Sequence, residues 1–383
     1  MNTDRRLFLK YALATSAVYQ AGTASAAAAG RVSTGSERAT ATGRGVGYKR
    51  IACEEAFITP ELTRALWHLV ENNPPDDPGF ISMWRGIGSS EHFITKLEDL
   101  GEGRIADMDA GGIDKQVLML TAPGVQVFDA TTGTALAASS NDQLAEACRN
   151  HPDRFAGLTV IAPQDPAAAA RELERGMTKL GLKGAIVNSH THGGYLDDPK
   201  YWDIFAAAES LNAPIYIHPT PPPKSMIEPY LSRGLEGPLA GFSAEVYLHT
   251  LAIITAGVLD RFPNLKIVIG HLGEGLPYLM YRLDYMQHHA AQPGLRGKKE
   301  GLRLKKKISE YMRENLYITT SGMAWSPAIR FAQEVLGVER VLYAMDYPYQ
   351  FDLEEVIATD EISISFSDKK KLYQLNAERV FSL

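Results

Sequence analysis

Cysteine is nearly absent from this 383-residue chain: only Cys53 and Cys148 occur, and no Cys-x-x-Cys or Cys/His cluster exists. A structural zinc site is thereby excluded. Two thiols so far apart in sequence read as unpaired small hydrophobes, with pairing after export as the alternative. An excess of one charge is lacking too. The balance is 39 basic against 45 acidic residues, net charge −6, which leaves no basic footprint for nucleic acid. No apolar run is long enough to span a bilayer; the nearest approach, residues 11–18, is short and interrupted. Glycine is missing from the turn after the first strand, CEEAFITPEL, where a doubly wound nucleotide-binding sheet would carry it. Motifs for pyridoxal phosphate or a redox cofactor are absent as well.

What is present begins with a leader. Arg5 and Arg6 precede Leu7, Phe8, Leu9 and Lys10, and Ala24-Ser25-Ala26 follows a mildly apolar stretch. Residues 1–26 therefore read as a twin-arginine-type signal peptide, with export to the periplasm as the expectation and the cytoplasm if the leader is unused. Residues 27–48 are poor in apolar anchors and read as a flexible linker. A single catalytic domain is expected over 49–383.

Eight near-continuous apolar runs alternate with helical patterns: residues 50–57, 115–123, 155–163, 184–190, 214–220, 266–271, 316–322 and 340–348. Such runs suit parallel strands covered by helices. Asp165 and Pro166 have the chemistry of an N-cap and a first helical turn. Eight strand–helix repeats predict a single α/β domain, a closed (β/α)8 TIM barrel, with an open doubly wound sheet as the competing fold.

Barrel active sites form at the carboxyl ends of the strands. Glu54, His218, His271 and Asp346 each interrupt an apolar run near that end. A polar side chain there must be paired, ligated or solvated. One such residue is ordinary; four on one rim point to a site. Glu, His and Asp together suit a divalent ion such as Mn(II) or Zn(II). Alternation along the first strand turns Cys53 away from the face of Glu54 and leaves Glu54 or Glu55 as the inward carboxylate.

The segments CEEAF, DMDAGGIDKQVLMLTAPGVQ, IHPTPP, GHLGEGLPYLMYRLDYM, NLYITTSGMAW and AMDYPYQ, in that order, resemble the amidohydrolase superfamily. More narrowly they resemble its non-oxidative aromatic acid decarboxylases, those of 5-carboxyvanillate, γ-resorcylate and 2,3-dihydroxybenzoate. The resemblance covers the chain from residue 50 onward. It implies Glu54, His218 and Asp346 as ligands of one divalent ion, manganese preferred and zinc the alternative. The His-x-His of many superfamily members is replaced by Glu54 and Ala56, which favours the mononuclear decarboxylase branch over a binuclear hydrolase. It also implies Asp346 as proton donor and a His271–Glu274 pair beside the metal. Arg282 and Tyr349 become substrate contacts, and Arg104 a residue reaching a neighbouring subunit's site. The plainer alternatives are an exposed helix arginine, a packed rim tyrosine and an Arg104–Asp107 surface pair.

His190, His192, His249, His288 and His289 match no ligand motif and are assigned to the surface or to supporting positions. The run 305–307 of three lysines is assigned to a solvated face. The implied activity is metal-dependent decarboxylation of an ortho-hydroxylated aromatic acid by a homodimer or homotetramer. A lactone, ester or amide hydrolase on the same fold and a non-catalytic binding barrel are the competing classes.

Overall fold

The computed structural model describes residues 47–290 and 304–383; the leader and nearly all of the linker lie outside them. The strands are β1 (Ile51–Phe57), β2 (Lys115–Leu120), β3 (Phe155–Gly157), β4 (Thr159–Val160), β5 (Ala185–Asn188), β6 (Pro214–His218), β7 (Lys266–Ile269), β8 (Leu316–Thr319) and β9 (Val341–Leu342). Every pairing is parallel and between sequential neighbours.

β3 and β4 are two halves of one barrel strand, broken at Leu158. The third expected strand therefore forms, but in two pieces that pair with different neighbours. The Leu158 N–H donates to Leu118 O at 2.9 Å and the Thr159 N–H to Gly184 O at 2.8 Å, which carries the ladder across the break. At the other seam the Cys53 N–H donates to Tyr343 O (2.9 Å) and the Ala56 N–H to Tyr347 O (2.7 Å). These bonds join β1 to the segment that follows β9. The result is the (β/α)8 barrel that the alternating pattern predicts, and the open sheet is set aside.

Both faces of the strands are buried, as their unbroken apolar runs require. The expected helices follow: Ala130–Asn150 after β2, Pro166–Arg175 after β4, Trp202–Ser210 after β5, Leu276–Ala290 after β7 and Ser326–Leu336 after β8. Asp165 caps the second of these by accepting the Ala168 N–H. The connection from β1 to β2 is longer than a simple crossover. It carries Pro60–Asn72, Pro78–Ile87, Glu91–Glu98 and Glu102–Gly111, which build one wall of the rim. Cys53 and Cys148 are unpaired. None of the described helices is long and apolar enough to cross a membrane.

Candidate active site

The end of β1 decides which carboxylate faces inward. Register slips between Ala52 and Glu55, a bulge that re-aims the side chains beyond it. Glu54 then points into the barrel. Its Oε2 accepts from Thr319 Oγ1 at 2.5 Å and from the Tyr216 hydroxyl. Its Oε1 is buried and has no hydrogen-bond partner. Glu55 turns the other way and accepts the Met345 N–H (2.9 Å) and the Tyr347 N–H (3.2 Å). The ambiguity that alternation left open is resolved in favour of Glu54.

Two imidazoles face the orphaned oxygen: His218 Nε2 and His271 Nε2 each lie 3.8 Å from Glu54 Oε1. His218 Nδ1 sits 2.8 Å from the Pro219 carbonyl. A carbonyl only accepts, so Nδ1 carries the proton and the Nε2 lone pair points at the site. Burial pushes the His218 pKa down to about 4, with Asp346 opposing and His271 reinforcing the fall. The ring is thus a neutral donor of the kind metals take.

His271 opens a run in which His271, Leu272, Gly273, Glu274 and Gly275 all have positive φ. Each non-glycine member costs on the order of 1–3 kcal/mol of backbone strain. The run folds Glu274 back, so that its Oε1 lies 2.6 Å from His271 Nδ1. Burial disfavours a charged His271, but Glu274, Glu54 and Asp346 outweigh it and hold the pKa well above the ordinary imidazole value. Nε2 reaches to 3.9 Å from Asp346 Oδ2. Asp346 itself is left-handed, φ +57°; β9 ends earlier, at Leu342 and not near 348, because the Tyr343 N–H turns to Leu372 O (3.0 Å) and the Ala344 N–H to Thr320 Oγ1 (3.0 Å).

Ligand atoms of Glu54, His271 and Asp346 all lie within 4.8 Å of one another. His271, expected beside the ligands, therefore takes the place in this set that was expected for His218, which approaches the group through Glu54 Oε1 at 3.8 Å. Burial raises Glu54 to about 7, His271 opposing and Asp346 adding to the rise. A divalent cation would reverse that. Space for the carboxylate depends on Gly270, where a Cβ would fall 2.5 Å from Glu54 Oε1. An orphaned buried oxygen, a neutral imidazole lone pair and a second carboxylate around one space fit a divalent metal.

The remaining expected residues divide. Tyr349 stands on the rim, its hydroxyl 2.5 Å from Thr121 Oγ1 at the end of β2 and its ring 5.3 Å from Phe93. Arg282 is exposed on helix Leu276–Ala290, an electrostatic neighbour of Tyr247, and is not drawn into the cluster. Arg104 corrects both of its readings. It is fully buried and donates to Asp99 O (2.7 Å), Ala56 O (2.8 Å), Lys96 O (3.0 Å) and Gln116 Oε1 (3.2 Å). Its guanidinium lies 4.5 Å from the Tyr347 ring centroid. A side chain so enclosed cannot reach a neighbouring subunit, and Asp107 pairs with Lys96 instead.

Among the histidines assigned to the surface or to supporting positions, His192 and His288 are exposed and His190 and His249 are buried. The lysines at 305–307 are on the surface, Lys306 paired with Glu314. Sequence reading missed Tyr216, Thr319 and Thr121. The first two are strand residues whose hydroxyls bond Glu54, and inward polar atoms on apolar runs were the available signal.

A parallel barrel with carboxylates and imidazoles converging at the carboxyl ends of its strands defines a metal-dependent enzyme site of the hydrolase and lyase type. The amidohydrolase family profile matches residues 92–383, and the chain belongs to that family. It is 35% identical over 344 residues to γ-resorcylate decarboxylase of Polaromonas sp., covering 87% of this chain and 98% of that one. The crystal structure of 5-carboxyvanillate decarboxylase from Novosphingobium aromaticivorans, complexed with manganese and 4-hydroxy-3-methoxy-5-nitrobenzoic acid, superposes with a TM-score of 0.87. It is 46% identical and covers 91% of this chain and 100% of that chain. The 5-carboxyvanillate decarboxylase of Sphingomonas paucimobilis gives 0.83 at 40% identity, over 88% and 100%.

Proposed function

We propose that the protein is a metal-dependent, non-oxidative decarboxylase of an ortho-hydroxylated aromatic carboxylic acid of the 5-carboxyvanillate type. The observation that carries this is the unpartnered Glu54 Oε1 facing His218, His271 and Asp346. It sits in a chain that matches such decarboxylases over nearly their whole length. Glu54, His218 and Asp346 would hold one divalent ion, manganese preferred and zinc the alternative, with His271 facing the same space. When bound, the ion supplies Lewis-acid charge that lowers the pKa of a phenol and orients a chelating acid.

The chain's own residues then account for the proton. Asp346 delivers it to the ring carbon that bears the carboxylate, and CO2 leaves with the electrons of the breaking C–C bond returning to the ring. His271, charged through Glu274, stands 3.9 Å from Asp346 Oδ2, where it restores the proton and balances developing negative charge. Tyr349 and Thr121 present hydroxyls at the rim; Arg282, exposed and outside the cluster, would contact a substrate carboxylate or phenolate only from the helix that carries it.

A panel of hydroxylated benzoates that includes 5-carboxyvanillate tests the reading. The expected product is the phenol with one CO2 per acid consumed, lost on chelation. A product heavier by one water from a lactone or ester panel would establish the hydrolase instead, and a protein that retains no metal would favour the binding barrel. The reading also includes export by the Arg5-Arg6 leader and assembly as a homodimer or homotetramer. Fractionation and sedimentation test these two points separately.

A further inference from the structure

Glu55 is fully buried and takes no direct part in the Glu54–His218–His271–Asp346 cluster. Its two oxygens instead straddle Asp346, one accepting the N–H of the residue before it and the other that of the residue after it. Asp346 sits at φ +57°, and although the Tyr343 and Tyr347 carbonyls still take β1 amides, the Met345 and Tyr347 N–H groups meet the Glu55 side chain instead of strand carbonyls. The two oxygens of the Glu55 carboxyl replace them: burial raises its pKa to about 8 with the two amides opposing, but an N–H only donates, so a pair of amides aimed at both oxygens fits the ionised form. The bulge in β1 makes this geometry available by turning Glu55 outward, one residue after Glu54.

Arg104 braces the same clamp. It bonds Ala56 O, the carbonyl next to Glu55, and lies against Tyr347, the residue after Asp346. The segment from Tyr343 to Tyr347 is thereby laced to β1 at four points: two through backbone amides of Cys53 and Ala56, and two through Glu55.

We infer that Glu55 is a positioning residue for the reaction: it holds the left-handed backbone at Asp346 so that the Asp346 carboxylate points into the metal and proton-transfer space. This rests on the role given to Asp346 above. A carboxamide cannot do the same, because Glu55→Gln offers one oxygen to two N–H groups and sets an NH2 against the other.

The experiment compares the parent with Glu55→Gln in three readouts: thermal unfolding, manganese affinity of the chelated protein by titration, and kcat and KM for 5-carboxyvanillate with saturating manganese. The expected result is a folded variant that binds manganese about 10–100-fold more weakly. Its kcat should fall by a comparable factor while KM moves little. A lower unfolding temperature with parental manganese affinity and parental kcat overturns the inference, since a purely structural role predicts that pattern. Should Glu55→Gln not fold, Glu55→Asp, which keeps the charge but withdraws it by one methylene, is read by the same thresholds. A parent that binds manganese but turns over no aromatic acid overturns the decarboxylase reading alone. The manganese titration still decides for or against Glu55.

Discussion

Two buried clusters in this barrel each combine histidine with glutamate, and they behave in opposite ways. At the rim, Glu54, His218, His271 and Asp346 face one another across 3.8–3.9 Å and leave Glu54 Oε1 without a partner. Behind the end of β5, Ser189 Oγ bonds Glu245 Oε1 (2.9 Å) and His249 Nδ1 (3.1 Å). The Tyr195 hydroxyl donates to Glu245 Oε2 (2.9 Å), and His249 Nε2 accepts the Leu196 N–H (3.0 Å). Every polar atom of that second cluster's side chains is used. The constellation of Ser, His and Glu resembles a nucleophilic triad in composition, yet it is closed on itself. An open cluster asks for a ligand; a closed one holds a loop in place.

Substitution at the two clusters sharpens the contrast. Asp346→Asn should lower decarboxylation by about 10^2–10^4-fold, the range for a lost proton donor, with the unfolding temperature near that of the parent. Steady-state assay beside calorimetry checks it. Gly270→Ala comes next. The new Cβ would lie 2.5 Å from Glu54 Oε1, and displacing that carboxylate should weaken manganese binding by about 10–100-fold, read by titration of the chelated protein. Ser189→Ala should do the reverse. It leaves Glu245 and His249 with unmet bonds and should cost about 1–3 kcal/mol of unfolding stability, while manganese affinity stays parental. If Ser189→Ala abolishes metal binding, the distinction between the clusters fails.

Proton linkage gives the smallest effect. Burial pushes His249 down from 6.5 to about 3. Between those values the unfolded chain binds the extra proton, so this group's contribution to stability is lost as pH falls below about 6.5. Burial raises Glu245 from 4.5 to about 7, with Tyr195 and Ser189 opposing. There the folded chain binds the extra proton, so stability declines as pH rises through that window. The two slopes oppose each other in the parent. Glu245→Gln should expose the His249 slope and His249→Gln the Glu245 slope, in denaturant midpoints measured from pH 5 to 7.5.

The rim cluster was legible in the sequence because each member breaks an apolar strand run near its end. That signal needs no knowledge of partners. The choice of Glu54 over Glu55 came from the resemblance and not from spacing; its physical reason is the bulge in β1, which no periodicity displays. Arg104 was misread because a helix arginine next to Asp107 looks like a surface pair; its burial depends on Ala56, Lys96 and Asp99 closing over it. The closed cluster was invisible for a similar reason. Ser189, Tyr195, Glu245 and His249 come from the β5 loop and from helix Gly241–Thr255, and only the folded chain brings them together. The run 340–348 predicts a long last strand, but only two residues form it, because the Tyr343 and Ala344 amides bond Leu372 O and Thr320 Oγ1 instead of a strand neighbour.

Turnover is expected to depend on a metal ion held by the open cluster. Adding manganese stepwise to chelated protein while following CO2 release from 5-carboxyvanillate tests it most directly. The predicted result is turnover that is absent without metal and rises to a plateau at one ion per chain, with Glu54→Gln far weaker on both axes. Undiminished CO2 release from the metal-free protein would contradict it.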